Sequence, residues 1–287
     1  MAENPLVHVP GAWPVLQRVN ALRRTAVGRL RSFDMLQWDE VPYGPHPRQR
    51  MHIWELNDLA PREGWPTVLL IHGGGWVEGS WRDFESLAPM FSRRGVMAAA
   101  MSYRLAPDDP WPAALEDVSL ALDFLRSQQV DPERISAWGH SAGGHLALMA
   151  GNQPDHGLRC LVALGAPTDL VRLDREGPDS MAPVFQEQCL EAASPLHAST
   201  RPESPLPPTL LVHGSMDRVC DVEHARALLK ARPDRVELRE VAQGDHGLRW
   251  PIPEALIARR KALQWLVEQM DLQSRGSKWK IRRRRNR

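Results

Sequence analysis

Cysteine is scarce in this chain of 287 residues: there are three, Cys160, Cys189 and Cys220, an odd number, widely spaced and without a CxxC pair. That argues against a disulfide framework and against a zinc site, and it fits a reducing cytosol. Long apolar runs are missing too. No stretch of 18 apolar residues occurs, and those at Val96–Met101 and Leu146–Ala150 are too short to cross a bilayer. The first residues, MAENPLVHVPGAWP, have an early acid, prolines and no apolar core, so they do not read as a secretory signal. There is no internal repeat. Acidic residues are absent from 275–287, RGSKWKIRRRRNR, which holds eight of the 36 Lys and Arg. Without this tail, 28 basic residues face 35 acidic ones, so the body carries about −7. The tail reads as a solvated terminus, and attachment to nucleic acid is not expected.

What is present is ordinary for a globular protein, with 43% apolar and 25% charged residues. The length suits one α/β domain of the larger kind. Gln37–Gly44 and Met51–Leu56 read as short strands separated by the turn-forming GPHPRQR. Thr67–Ile71 (TVLLI) and Gly95–Ser102 are continuous apolar runs, as buried central strands require. A helix over Pro112–Gln128, a strand at Arg134–Trp138, a helix over Ala142–Ala150 and a strand at Leu158–Leu164 follow. Thr209–Val212, Val222–Ala231 and Val236–Val241 continue as strand, helix and strand, and Glu254–Met270 closes as a helix.

This alternation predicts a mostly parallel sheet covered by helices on both faces. Residues 1–36 are expected to form a helical arm contributing to a cap, with Leu16, Val19, Leu22, Val27 and Leu30 at near-helical spacing. Residues 37–270 form the α/β domain, and 271–287 are expected to be disordered. Within the domain, 167–208 breaks the alternation and reads as a small cap or binding segment; its best helical candidate is Val184–Ala193.

Three places carry chemistry. Gly139-His140-Ser141-Ala142-Gly143 is a GxSxG pentapeptide between a strand and a helix, where glycine spares the tight turn from side-chain bulk and the serine hydroxyl is pushed out. His72-Gly73-Gly74-Gly75-Trp76 ends the TVLLI strand. Its glycines let backbone N–H groups converge on a small anion, with the N–H of Ala142 as a further donor. His72 is expected to brace that loop. A serine needs a base, and His246, in Gly244-Asp245-His246-Gly247 after the last strand, is the outstanding one of eleven histidines. The order serine, acid, histidine asks for a carboxylate between them. Asp217, directly after the Thr209–Val212 strand, fits; Asp221 is the nearest competitor, and Asp245 is too close to its neighbour. His140 reads as a packing residue turned away from the serine, with a weaker reading as a substrate contact beside Trp76.

These motifs resemble the α/β-hydrolase fold and, within it, the hormone-sensitive-lipase-like and acetyl-esterase group. The matching segments are LLIHGGGW (69–76), YRLAPDDPWPAALEDV (103–118), GHSAGGHLAL (139–148), LLVHGSMD (210–217) and GDHG (244–247). The resemblance implies Ser141 as nucleophile, His246 as base, Asp217 as orienting acid, and an oxyanion hole from the Gly73–Gly75 backbone and Ala142. It implies no metal and no organic cofactor. Histidine rather than aspartate before the serine is closer to small bacterial esterases and arylformamidases. Glu116 and Asp117 are expected to hold loops. The implied activity is hydrolysis of short-chain carboxylic esters, with a small-molecule ester as the only required partner. Rival readings are an arylformamidase-like amide hydrolase and a non-catalytic small-molecule-binding member of the fold. A homodimer is compatible with the sequence, and membrane insertion is not expected.

Overall fold

In the computed structural model the described residues are 35–56, 60–176, 181, 183–185, 190–248 and 253–271. The expected helical arm over Val15–Arg31, the basic tail and Cys189 lie outside them. Eight strands form one sheet: β1 (Met35–Pro42), β2 (Arg50–Leu56), β3 (Trp65–Ile71), β4 (Met97–Met101), β5 (Val130–His140), β6 (Leu158–Leu164), β7 (Thr209–Gly214) and β8 (Val236–Val241). Their order is β1-β2-β4-β3-β5-β6-β7-β8. β2 pairs antiparallel with both β1 and β4, and every other pairing is parallel. The helices are α1 (Ala88–Ser92), α2 (Ala113–Arg126), α3 (Ala142–Gly151), α4 (Leu170–Glu176), α5 (Pro195–Ser199), α6 (Glu223–Ala231) and α7 (Pro253–Gln269).

The central strands are buried on both faces, which is why TVLLI shows no polar alternation. Successive side chains still point to opposite sides. Leu69 and Ile71 join Leu122 and Leu125 of α2, Leu146 and Met149 of α3 and Leu228 of α6 in one core. Val68 and Leu70 join Phe91 of α1 and Leu263 and Leu266 of α7 in the other. A helix layer therefore seals each face, and the sheet's chemistry is left to the loops at its carboxyl edge.

Several elements differ from the sequence-based expectation: β1 begins at Met35, inside the stretch expected as a helical arm, and α1 has no counterpart in it. β5 begins at Val130 rather than Arg134, with Pro132 inside it. The pairing of β3 with β5 shifts register between Trp65 and Thr67, opposite Val130 and Ile135, so the proline sits at an irregularity where no ladder N–H is required. In the 167–208 insertion, the described part of Val184–Ala193 forms turns instead of a helix. Its carbonyls are committed elsewhere: Val184 accepts from the Trp111 N–H at 2.9 Å, and Ala193 from the His145 ring at 2.8 Å. The insertion's short helices, α4 and α5, are joined by Leu196 N–H donating to Thr168 O and Leu170 N–H donating to Ser194 Oγ, both at 2.8 Å.

Candidate active site

Ser141 stands between β5 and α3 with φ 53° and ψ −122°, a conformation uncommon for a residue with a side chain. The two flanking glycines permit the turn. A Cβ on Gly139 would lie 2.1 Å from the Gly143 carbonyl oxygen, and one on Gly143 would lie 2.0 Å from that of Ile71. Backbone, unlike a flexible side chain, cannot give way at such distances. The Ser141 N–H donates to Leu164 O at 2.8 Å, fastening the turn to β6.

His246 reaches the serine from the loop after β8. Its Nε2 is 2.9 Å from Ser141 Oγ and its Nδ1 is 2.7 Å from Asp217 Oδ2. An ionised carboxylate only accepts, so the Asp217 contact places the imidazole proton on Nδ1 and leaves the Nε2 lone pair facing the serine hydroxyl. The two loops that meet here are packed backbone on backbone: a Cβ on Gly214 would be 2.2 Å from Gly244 O, and the Met216 N–H donates to that same oxygen at 2.9 Å.

Asp217 is 8% exposed and fully bonded. Oδ1 accepts from the N–H groups of Val219 at 2.9 Å and Cys220 at 2.8 Å. Oδ2 accepts from His246, and His213 Nε2 lies 3.3 Å away. His213 Nε2 is also 2.7 Å from the Cys220 carbonyl, which can only accept, so that nitrogen is protonated and shared between the two oxygens. Burial pushes the Asp217 carboxyl upward, but the bonds from His213, His246 and Cys220 outweigh it and hold it well below the usual carboxylate range. The rival Asp221 is exposed and accepts from the Glu223 N–H at 2.7 Å. Asp245 accepts from the Leu248 N–H. Neither touches His246 through a hydrogen bond.

The glycine loop adjoins the serine. A Cβ on Gly73 would be 3.3 Å from Ser141 Cβ. Gly74 and Gly75 have φ of 103° and 58°, the left-handed region that glycine enters without strain. Among the described residues, the N–H groups of Gly73, Gly74, Gly75 and Ala142 donate to nothing. His72 braces the loop as expected: Nδ1 is 2.7 Å from Gly73 O, and the ring stacks on Tyr103 with centroids 4.1 Å apart. Asp117 holds the loop behind, accepting from Arg104 N–H and Gln49 Nε2, each at 2.7 Å.

One expectation needs correction. His140 does not turn away from the site. Its ring is 5.2 Å from that of His246, and Nε2 donates to the His246 carbonyl at 2.9 Å, so it holds the histidine's loop. Trp76 is 4% exposed. Its ring is packed against Phe185 at 5.0 Å and His145 at 5.1 Å. His213 and His145 were missed by sequence reasoning, although each is a polar residue in an apolar run next to a motif.

Among the described residues no group of three or more His, Cys, Asp or Glu is placed to hold a metal ion, and no helix is long and apolar enough to cross a membrane. Cys160 and Cys220 are buried and unpaired; burial pushes the Cys160 thiol up to about 12.

The sheet topology and the placement of the serine, histidine and aspartate loops define an α/β-hydrolase. Solved structures agree on the fold. A truncated carbohydrate esterase from gut microbiota superposes with a TM-score of 0.70 over 83% of this chain and 97% of its own, at 17% identity. A thermophilic esterase from Thermogutta terrifontis gives 0.69 over 87% and 99%, at 24% identity. More particularly, the chain belongs to the BD-FAE family, whose profile matches residues 57–231. Among curated proteins, Esterase LipC of Mycobacterium tuberculosis is 29% identical over 250 residues, 76% of this chain and 59% of LipC. The chain thus spans about three-fifths of that relative's length. Kynurenine formamidase of Debaryomyces hansenii is 36% identical over 117 residues, 38% of each chain.

Proposed function

We propose that the protein is a serine carboxylesterase acting on short-chain acyl esters. The observation that carries this reading is the continuous chain Ser141 Oγ, His246, Asp217 at 2.9 and 2.7 Å beside backbone N–H groups without partners. As Ser141 attacks the ester carbonyl, its proton passes to His246 Nε2, and the imidazolium formed is stabilised by Asp217. The carbonyl oxygen becomes an oxyanion, met by N–H groups of the Gly73–Gly75 loop and Ala142. The tetrahedral intermediate collapses, the C–O bond to the alcohol breaks, and the alcohol leaves with the proton from His246. Water, giving its proton to the same nitrogen, then releases the acid from the acyl-enzyme. No metal or organic cofactor enters these steps.

The curated relative LipC is named an esterase, which supports the reaction class. Short acyl chains are favoured because Trp76, Phe185 and Trp111 fill the space beside the glycine loop with aromatic rings. The similarity to a kynurenine formamidase supports a second reading on the same residues, cleavage of an aryl formamide. The test is hydrolysis of p-nitrophenyl acetate and of N-formylkynurenine by wild type and Ser141→Ala, with fluorophosphonate labelling of Ser141. Ester turnover and labelling that both vanish in the variant are expected. A faster reaction on N-formylkynurenine selects the second reading, and an unlabelled, inactive wild type removes both.

A further inference from the structure

His145 lies on α3 one helical turn beyond Ser141, and its N–H donates to the Ser141 carbonyl at 3.0 Å. Its side chain is completely buried. Nε2 is 2.8 Å from the Ala193 carbonyl, which only accepts, so Nε2 carries the ring proton. Nδ1 therefore offers a lone pair, and the Trp76 indole N–H, which only donates, meets it at 3.3 Å. Burial lowers the imidazole's pKa to about 4, so the neutral ring this arrangement needs is present at neutral pH. One imidazole thus joins the helix behind the nucleophile, the glycine loop and the 167–208 insertion. Phe185 and Trp111 close around it, 6.0 and 5.5 Å from its centroid.

The geometry of the glycine loop explains why such a tie is needed. Gly74, Gly75 and Trp76 are three consecutive residues with positive φ, at 103°, 58° and 62°. The glycines enter that region freely, whereas a tryptophan there is strained by its Cβ. Such a residue stays only where its surroundings over-determine it. Besides ring packing, the Trp76 side chain has one polar anchor, His145.

We propose that His145 is a positioning residue for the oxyanion-binding loop: by accepting the Trp76 indole N–H and donating to Ala193, it holds Trp76 in its left-handed conformation, aims the preceding glycine N–H groups at the site, and backs the acyl-side wall with the insertion. The inference rests on the esterase reading. It is tested with His145→Phe, Trp76→Phe and the double variant, assayed on p-nitrophenyl acetate, with the final extent of fluorophosphonate labelling measured for each. His145→Phe keeps a ring in the cluster but leaves a buried indole N–H without an acceptor. It is expected to lower kcat about 10- to 100-fold. KM and the labelled fraction at completion should stay near wild type, because the loss falls on the transition state. Removing the stranded donor as well should raise kcat in the double variant about fivefold above His145→Phe. Were His145 only filling space, the double variant would be the worse of the two. That order, or wild-type kcat in His145→Phe, overturns the proposal. If His145→Phe does not fold, Trp76→Phe decides: reduced kcat at unchanged KM supports the tie, and wild-type kcat refutes it. A wild type that neither hydrolyses nor labels is failure of the esterase reading instead.

Discussion

Replacing Asp217 by asparagine tests the site through a single atom. Oδ1 accepts two backbone N–H groups, from Val219 and Cys220, and Oδ2 faces protonated nitrogens of His246 and His213. An amide has one accepting end. With its oxygen at the Oδ1 position, its NH₂ confronts the His246 N–H, donor against donor, and the imidazole must move its proton to Nε2. The lone pair that faces Ser141 at 2.9 Å is then gone. Turned round, the NH₂ confronts two backbone donors that cannot retreat. The first orientation, which keeps both backbone bonds, is therefore the favoured one; in it the base is lost, and kcat/KM on p-nitrophenyl acetate should fall about 10³- to 10⁴-fold, or roughly 4–5.5 kcal/mol of transition-state stabilisation.

Asp221→Asn is the matched control, four residues away. That side chain is 57% exposed, accepts from the Glu223 N–H, and lies 3.9 Å from an Arg172 already paired with Glu176. An amide oxygen can still accept from Glu223, so activity should remain within about threefold of wild type and stability within about 0.5 kcal/mol. Thermal melts of both variants separate lost chemistry from lost fold. A mild Asp217→Asn and a crippling Asp221→Asn would refute the acid assignment.

Gly143→Ala should destabilise the protein by about 3 kcal/mol or more, or prevent soluble expression, because its Cβ would sit 2.0 Å from Ile71 O; a urea melt at the wild-type midpoint would contradict this. On p-nitrophenyl esters, kcat/KM should peak at about two to six acyl carbons, since each added methylene gains about 0.8 kcal/mol only where space remains. A maximum at about twelve carbons or longer, or a jump above the critical micelle concentration, would favour a lipase. Folding stability should rise with pH through the window between about 4 and 6.5. Burial holds His72, His145 and His224 near 4 in the folded chain, so the unfolded chain binds the extra protons there. With roughly three protons involved, the slope approaches about 4 kcal/mol per pH unit near pH 5. Urea midpoints that stay flat from pH 5 to 6.5 would exclude it.

The parts of the fold readable from sequence were those whose pattern is local. A strand buried on both faces is a short apolar run, so Thr67–Ile71 and Leu158–Leu164 stood out, and a turn too tight for a Cβ is written as glycine at 139 and 143. The parts not readable depend on partners distant in sequence. Val184–Ala193 has helical spacing, but its carbonyls bond to Trp111 and His145, and no window of ten residues contains that information. Pro132 hid four residues of β5 because a proline in a strand is harmless only at an irregularity, and the irregularity is a property of the β3 pairing. His213 and His145 did leave a trace. A histidine ending the apolar TLLVHG strand needs a buried partner, and a histidine four residues after the nucleophile faces the same side of its helix.

The same division separates reaction from specificity. Ser141, Asp217 and His246 follow β5, β7 and β8, and a hydrogen-bonded sheet sealed on both faces keeps the ends of those strands in register. The acyl side has a different construction. On the proposed reading its wall is Trp76 from the glycine loop and Phe185 from the insertion, whose rings meet at 5.0 Å and are tied to His145 and the Ala193 carbonyl. The insertion connects β6 to β7 and contributes no strand to the sheet. Substitutions there can move Phe185 without disturbing the serine, and their effect should appear as a changed acyl-length profile with the Ser141–His246 distance preserved. On the proposed reading the hydrolytic chemistry belongs to the sheet edge, and the choice of ester to an insertion tied to it by the His145 ring, the Trp111–Val184 backbone bond and the Thr168 contacts to His224.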